Sequence, residues 1–340
     1  MSKWLLYILT FFLSFCGFFS EAQDIHFTQY YTSPENLNPA LTGFFNGTQR
    51  FTLQNKTQWR SVTTPFKTLS ASYDMPVRKR YFKQDIFGGG IVFNRDQAGD
   101  SKFGTTQANI SLSYIRSISR INNQFVSFGI QAGAAQRTID YSKLVFDSQY
   151  DGTSFNPALS NNEQFSKENF IFFDLSAGAY WHYIRHKGLY YNGGIALFHI
   201  NKPKQSLFGN NDIRLDRKFV MHGNSQFEVT KKILVLPGFL FMQQGTCNEI
   251  DIGALGKFII EPAEANYLAL QFGMYYRFKD ALNFIAGLDY KNISVGINYD
   301  VNTSNLVPAS HSRGGFEISL IYIMNNNTKT YVKKVPCPIF

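Results

Sequence analysis

The sequence predicts an all-β protein: an antiparallel transmembrane β-barrel of about 14 strands, outer-membrane type, behind an N-terminal signal peptide. Three observations predict it: an export leader, segments that alternate apolar and polar residues, and connecting loops whose lengths sort by parity. The alternation is clearest in the last third. Ile293, Val295, Ile297 and Tyr299 fall on one face of a strand, and Asn292, Ser294, Gly296, Asn298 and Asp300 on the other. Side chains of a strand point to opposite faces with period two, so such a segment has one apolar and one polar face. Leu268–Tyr276, Leu282–Tyr290 and Phe316–Tyr322 repeat the pattern.

The leader comes first. Lys3 precedes a nearly unbroken apolar run from Trp4 to Phe19, and Ser20-Glu21-Ala22 puts small residues where a signal peptidase reads, so cleavage is expected before Gln23. The expected division is 1–22 signal peptide, 23–47 N-terminal lumen or periplasmic segment, and 48–340 outer-membrane β-barrel. Removing Lys3 and Glu21 leaves the net charge at +9. No later run is long and apolar enough for a spanning helix, which needs about 18 residues or more. Aromatic residues make up 16% of the chain, yet its mean hydropathy is −0.19. An exported, aromatic-rich chain that is not globally hydrophobic fits a barrel with one apolar face.

The strand candidates, in order, are 50–60, 66–75, 85–95, 104–118, 123–137, 170–184, 188–200, 217–230, 232–243, 247–260, 264–277, 281–290, 292–300 and 313–324. Most match the length of a tilted membrane strand, about 9–11 residues or somewhat more. Pro237 cannot donate to a ladder, so a bulge or weak pairing is expected there. Connections after odd-numbered strands include 96–103, 138–169, 201–216 and 301–312; those after even-numbered strands include 119–122, 185–187, 230–231, 261–263 and 291. Antiparallel neighbours alternate direction, so long loops gather at one end and tight turns at the other. A soluble sandwich has no reason to do this, whereas an outer-membrane barrel does.

Inward positions are small or polar, as in Asp174-x-Ser176-x-Gly178 and Ser127-x-Gly129-x-Gln131-x-Gly133. About 14 strands enclose a lumen wider than side chains alone fill. The segment from Gln23 to the first strand carries two Pro turns, at Pro34 and Pro39, and several aromatics. It is expected to be ordered and to close the periplasmic side; the connection 138–169 is a second candidate to guard the lumen.

Signals for chemistry are weak. His182 and His186 are four apart, a helical metal spacing, but they straddle a strand end and a tight turn with no carboxylate or Cys beside them. No G-x-S-x-G nucleophile motif appears, and Gly88-Gly89-Gly90 lies inside a strand, where small residues face a crowded lumen. The mature chain keeps Cys247 and Cys337, which make no disulfide framework. No enzyme activity, metal or cofactor is expected, and export argues against nucleic acid.

Five stretches carry a resemblance. They are Gln23-Asp24 with Phe27-Thr28-Gln29-Tyr30 and Leu37-Asn38-Pro39-Ala40 before Gly43; Gln58-Trp59-Arg60; Ser70-Ala71-Ser72-Tyr73-Asp74 with Pro76; Tyr299–Leu306 followed by Gly314-Gly315-Phe316-Glu317; and Cys337-Pro338-Ile339-Phe340. In order and over nearly the whole mature chain, these resemble PorP/SprF-type membrane proteins of the type IX secretion system of gliding and other Bacteroidetes. One departure is Ile339, where the family often has a basic residue. The resemblance implies an outer-membrane barrel that assists secretion or surface attachment of a large client adhesin, in company with other secretion components. A diffusion porin or small-solute channel is the alternative, and a barrel enzyme a third.

Two surfaces are candidate contacts. The connection 138–169 presents Tyr141, Phe146, Tyr150 and Phe155 among acidic residues, a client-contact loop or a constriction folded inward. The tight-turn side is basic: Arg78, Lys79, Arg80 and Lys83, then Arg120, Arg185, Lys187, Lys231, Lys232 and Lys291. That rim suits anionic outer-membrane lipid or an acidic periplasmic protein, and the tetrad at 78–83 is assigned to the protein partner.

Overall fold

The computed structural model describes residues 24–60, 64–77, 85–161, 163, 167–186, 188–207, 213–305 and 307–325. Among them run fourteen strands: β1 (Gln49–Gln58), β2 (Phe66–Val77), β3 (Asp85–Ala98), β4 (Phe103–Ser117), β5 (Gln124–Thr138), β6 (Asn169–His186), β7 (Leu189–Phe198), β8 (Lys218–Thr230), β9 (Ile233–Gln244), β10 (Cys247–Glu261), β11 (Leu268–Arg277), β12 (Ala281–Tyr290), β13 (Ile293–Asn302) and β14 (Arg313–Met324). Each pairs antiparallel with the next, and β1 pairs with β14 from Gln49↔Met324 to Gln58↔Gly315 without a register shift. The barrel is therefore closed and leaves no open edge, which is what permits strands to cross a lipid layer.

Which face is apolar identifies the surroundings. Outward Phe128 and Ile130 are 59% and 61% exposed, while their inward neighbours Ser127 and Gln131 are buried. Phe51, Leu53, Ile91, Phe93, Ile171 and Phe173 likewise point out. Inside lie Gln54, Lys56, Asn94, Ser111, Asp174 and Asn283. A water-soluble protein would have the reverse arrangement; an apolar exterior around a polar interior is that of an outer-membrane barrel.

The long connections from β5 to β6, β7 to β8 and β13 to β14 all leave and re-enter the barrel at one end; the described turns 118–123, 231–232 and 291–292 join their strands at the other, as does Gly188 ahead of β7. The sequence placed the start of the eleventh strand at 264, but Glu264–Asn266 forms a 3-10 turn and the ladder begins at Leu268. At Pro237 the β8–β9 ladder passes from Asn224↔Gly238 to Phe227↔Val235 in one register, so pairing is locally missing rather than bulged. The register shift of this pair falls later, between Glu228 and Thr230.

The core is in the lumen. Residues 24–48 run through it as extended backbone and three helical turns, Tyr30–Thr32, Pro34–Leu37 and Pro39–Leu41. Tyr30, Tyr31 and Leu37 pack on Phe198, Leu234, Leu236 and Tyr275, while Ala40 and Phe44 pack on Ile86, Ile115, Phe125 and Tyr180. Burying side chains such as Leu37 and Phe44 contributes about 1.5–3 kcal/mol each. From the sequence, the segment is expected at the periplasmic, tight-turn side. Its contacts instead run from Asp24, bonded to Gln244 at the long-loop end, to Thr48, which donates to Met324 O at the tight-turn end.

Candidate functional site

The lumen and its plug are the built site of this molecule. An extended segment without a strand partner must have its backbone groups satisfied some other way. Inward side chains of the barrel do this. The Glu317 carboxylate accepts from the backbone N–H of both Thr28 and Gln29 at 2.9 Å and from Gln54 Nε2 at 2.7 Å. Ser113 and Ser127 donate to Thr42 O and Ala40 O at 2.5 and 2.6 Å. Asn38 accepts from Ala40 N–H and donates to Ala179 O and Ile195 O, crossing to two strands. The plug comes so close there that a Cβ on Gly178 or Gly194 would meet the Asn38 side chain, and one on Gly88 would meet Thr42 O.

Charged latches sit at both ends. At the tight-turn end, Arg50 donates to both oxygens of Asp74 at 2.9 and 2.7 Å and to Leu41 O at 3.2 Å, while Gly43 N–H donates to Asp74 Oδ2 at 2.7 Å. Gly43 has φ +69°, a conformation only glycine adopts without strain, and this turn aims its N–H at the carboxylate. Near the long-loop end, Arg277 is fully enclosed. Its Nε lies 3.3 Å from Glu249 and from Asp251, its Nη1 3.0 Å from Asp280, and its Nη2 donates to Thr28 Oγ1 at 2.7 Å.

At the very mouth, Asp24 contacts His199 Nε2, and Lys218 Nζ is 3.7 Å away, while His199 Nδ1 lies 2.9 Å from Asp174. Burial opposes charge on both groups, but each ionised partner outweighs it. Asp24 is held well below the usual carboxylate range by His199 and Lys218, and His199 is raised to about 9 by Asp24 and Asp174. Burial pushes His26 down to about 4, so it is neutral beside Glu249. Glu35 is buried in the middle of the lumen, where it accepts from Ser72 Oγ at 2.9 Å.

The plug leaves a vestibule of about 530 Å³ at the long-loop end, on the side of β2–β6. Asn36, Asn109 and Gln131 line its deep part, and Trp59, Phe66 and Phe103 stand in its wall. A cavity of about 230 Å³ beside it shares His26, Gln58 and Trp59. A cavity of about 170 Å³ lies at the tight-turn end, lined by Tyr31, Arg50, Tyr267 and Lys291 among others, and shares no lining residue with the vestibule.

None of the four aromatics of the connection 138–169 lines the vestibule. Tyr150 and Phe155 are exposed and bridge each other; Tyr141 and Phe146 are half-buried. Arg78, Lys79, Arg80 and Lys83 lie outside the described residues, as do residues 1–22, where a signal peptide is expected, Lys187 and Cys337. Arg120, Arg185, Lys231, Lys232 and Lys291 are exposed at the tight-turn end. His182 is buried against Phe44, Tyr180 and Tyr190, whereas His186 is exposed; among the described residues no group of His, Cys, Asp and Glu is arranged to hold a metal.

Sequence reading missed the latches on β1, β10 and β11. Lys56, Glu249, Asp251, Lys257 and Arg277 occupy inward positions of alternating strands, and a charge there was the available signal. The quoted motifs meet in the lumen: Thr28 and Gln29 with Glu317, Thr28 with Asp300, and Gly43 with Asp74.

A family model described as Type IX secretion system membrane protein PorP/SprF matches residues 19–322. Among solved structures, the Ralstonia pickettii toluene transporter TbuX is similar at TM-score 0.50 and 10% identity, over 85% of this chain and 92% of that one. A monoaromatic hydrocarbon channel, CymD, matches at TM-score 0.49 and 11% identity, over 87% and 94%. No curated protein matches the chain.

Proposed function

This chain belongs to the PorP/SprF family of type IX secretion system membrane proteins, an outer-membrane β-barrel, and from that premise we propose that it is a non-enzymatic docking barrel. It assists secretion or surface attachment of a large client adhesin of the gliding-motility type rather than conducting solutes. One observation carries the reading: residues 24–48 run through the lumen from end to end and are latched by charged groups at both ends. A diffusion porin needs a continuous aqueous path, and a plug so fixed opposes one.

In the usual orientation of such barrels the long loops face outward and the tight turns face the periplasm. The connection 138–169, with Tyr150 and Phe155 exposed, then offers a client contact outside. The basic rim, including Arg78, Lys79, Arg80 and Lys83, then faces anionic headgroups and an acidic periplasmic component of the export machinery. The test pairs two measurements on protein purified from native membranes in mild detergent. A secreted adhesin and other secretion components co-elute, and the barrel is silent in planar bilayers. Steady conductance with no co-eluting protein means a solute channel instead.

A further inference from the structure

We propose that the vestibule is a binding site for an uncharged, hydroxyl-rich ligand, an oligosaccharide presented at the cell surface. The inference depends on the barrel and its orientation, not on the secretory role.

Four features carry it. The first is size and shape. A volume of about 530 Å³ falls within the range of small-ligand sites, roughly 300–1,000 Å³. The plug blocks the way down: Asn36 is at the deep end, where it exchanges two hydrogen bonds with Asn94, at 3.1 and 2.7 Å. A ligand that enters here stays and is read by the walls.

The second is charge balance. Three carboxylates line the cavity, Asp24, Asp96 and Asp174, against three cations, Arg137, Lys218 and the His199 imidazolium. An anion would face the carboxylates and a cation the bases, so neither gains. A neutral ligand meets no such opposition.

The third is the polar wall. Gln107, Asn109 and Gln131 carry amides, which both donate and accept, as hydroxyl groups do. Asn109 Nδ2 donates to Gln131 Oε1 at 3.5 Å and Gln107 Nε2 to Asp174 Oδ2 at 3.3 Å, so the amides are held in place in the wall for ligand hydroxyls to meet. Arg137 donates from Nε to Thr105 Oγ1 at 3.2 Å and stacks over Phe103, 5.5 Å from its ring centre. An alkane-like ligand would strand these groups.

The fourth is the aromatic wall. Trp59 has φ +56°, a left-handed conformation that bulky residues rarely adopt. Such backbone strain persists where the surroundings enforce it, often at binding sites. Here Phe66 meets the indole edge-on at 4.9 Å, and the Trp59 backbone N–H donates to Gly314 O at 3.3 Å. The result is a held aromatic ring in the wall of the same cavity as the amides. The apolar C–H faces of a sugar ring pack on aromatic faces, while its hydroxyls turn to the polar wall.

The chain has tryptophan at positions 4, 59 and 181 only, and Trp4 lies in the expected leader. Trp181→Phe therefore makes Trp59 the sole reporter in the mature barrel. Full-length mature protein in detergent is applied to an array of neutral glycans, acidic glycans and peptides, and hits are titrated by Trp59 fluorescence. The expected result is saturable binding of neutral glycans that Gln107→Ala and Asn109→Ala each weaken at least tenfold. Migration of unheated against boiled protein in gels checks that both variants remain folded. The proposal is overturned by no glycan binding, by a preference for acidic glycans or peptides, or by neutral-glycan binding that both variants retain.

Discussion

At the scale of single residues, Asp74 and His199 decide how firmly the plug is held. Asp74 joins Arg50, on β1, to the Gly43 N–H of the plug. Asp74→Ala leaves the buried Arg50 guanidinium without its carboxylate. Breaking a buried pair in this way costs about 3–5 kcal/mol. The temperature at which unheated protein loses its compact gel mobility should fall clearly, and an unchanged temperature would count against the latch. The mouth latch titrates. His199 is raised from an ordinary 6.5 to about 9, so its contribution is complete below 6.5 and is lost as pH rises through about 9. Asp24 is lowered, so its contribution is present above 3.8 and is lost as pH falls below that. A spin label at Ile25→Cys should therefore be immobile between those limits and gain mobility as pH passes about 9. A label whose mobility ignores pH would mean that His199 does not hold the segment.

At the scale of elements, the plug and the wall fit by close approach. Gly178 on β6 and Gly194 on β7 leave room for Asn38, and Gly129 on β5 leaves room for the Pro39 and Ala40 backbone. Gly129→Val should displace the turn at 39–41 while the strands, paired through their own backbones, still close. Single-channel recordings should then register openings that the parent protein lacks. Deleting residues 24–46 while keeping residues 1–23 should go further and give steady conductance from a folded barrel. If the deletion variant folds and stays silent, something other than the plug seals the lumen. The connection 138–169 is a separate element: its excision should spare the barrel and weaken client co-elution, and an intact complex would remove it from the contact surface.

At the scale of the whole molecule, charge is sorted by end. Arg120, Arg185, Lys231, Lys232 and Lys291 are exposed at the tight-turn end, while the longest connection at the other end is acidic. Near an anionic leaflet each basic residue is worth about 1 kcal/mol. A protein partner would add a salt-sensitive encounter. Replacing Arg78, Lys79, Arg80 and Lys83 by Gln should leave assembly intact and reduce co-purification of an acidic periplasmic protein, more so at raised salt. Equal recovery at both salt levels would assign the rim to lipid alone.

The sequence by itself determined the wall. Period-two alternation is a local property, so strand existence, strand number and inward face were legible from Leu268–Tyr276 and its repeats, and loop parity followed from chain order alone. Of Gly88, Gly89 and Gly90, all expected to face the lumen, Gly88 and Gly90 do, whereas Gly89 between them points away from it, as the alternation of a strand requires. The path of residues 24–48 was not. Its hydrogen bonds join Asp24 to Gln244 and Thr28 to Glu317, across separations of 220 and 289 residues. No local pattern encodes such pairs, because an irregular segment has no period and takes its partners from whatever the closed barrel turns inward. Only the tertiary structure decided that Arg277 gathers four carboxylates, that the plug begins at the long-loop end, and that the plug leaves a vestibule there. The physical reason is closure: until β1 meets β14 there is no lumen, and so no inside for these charges to share.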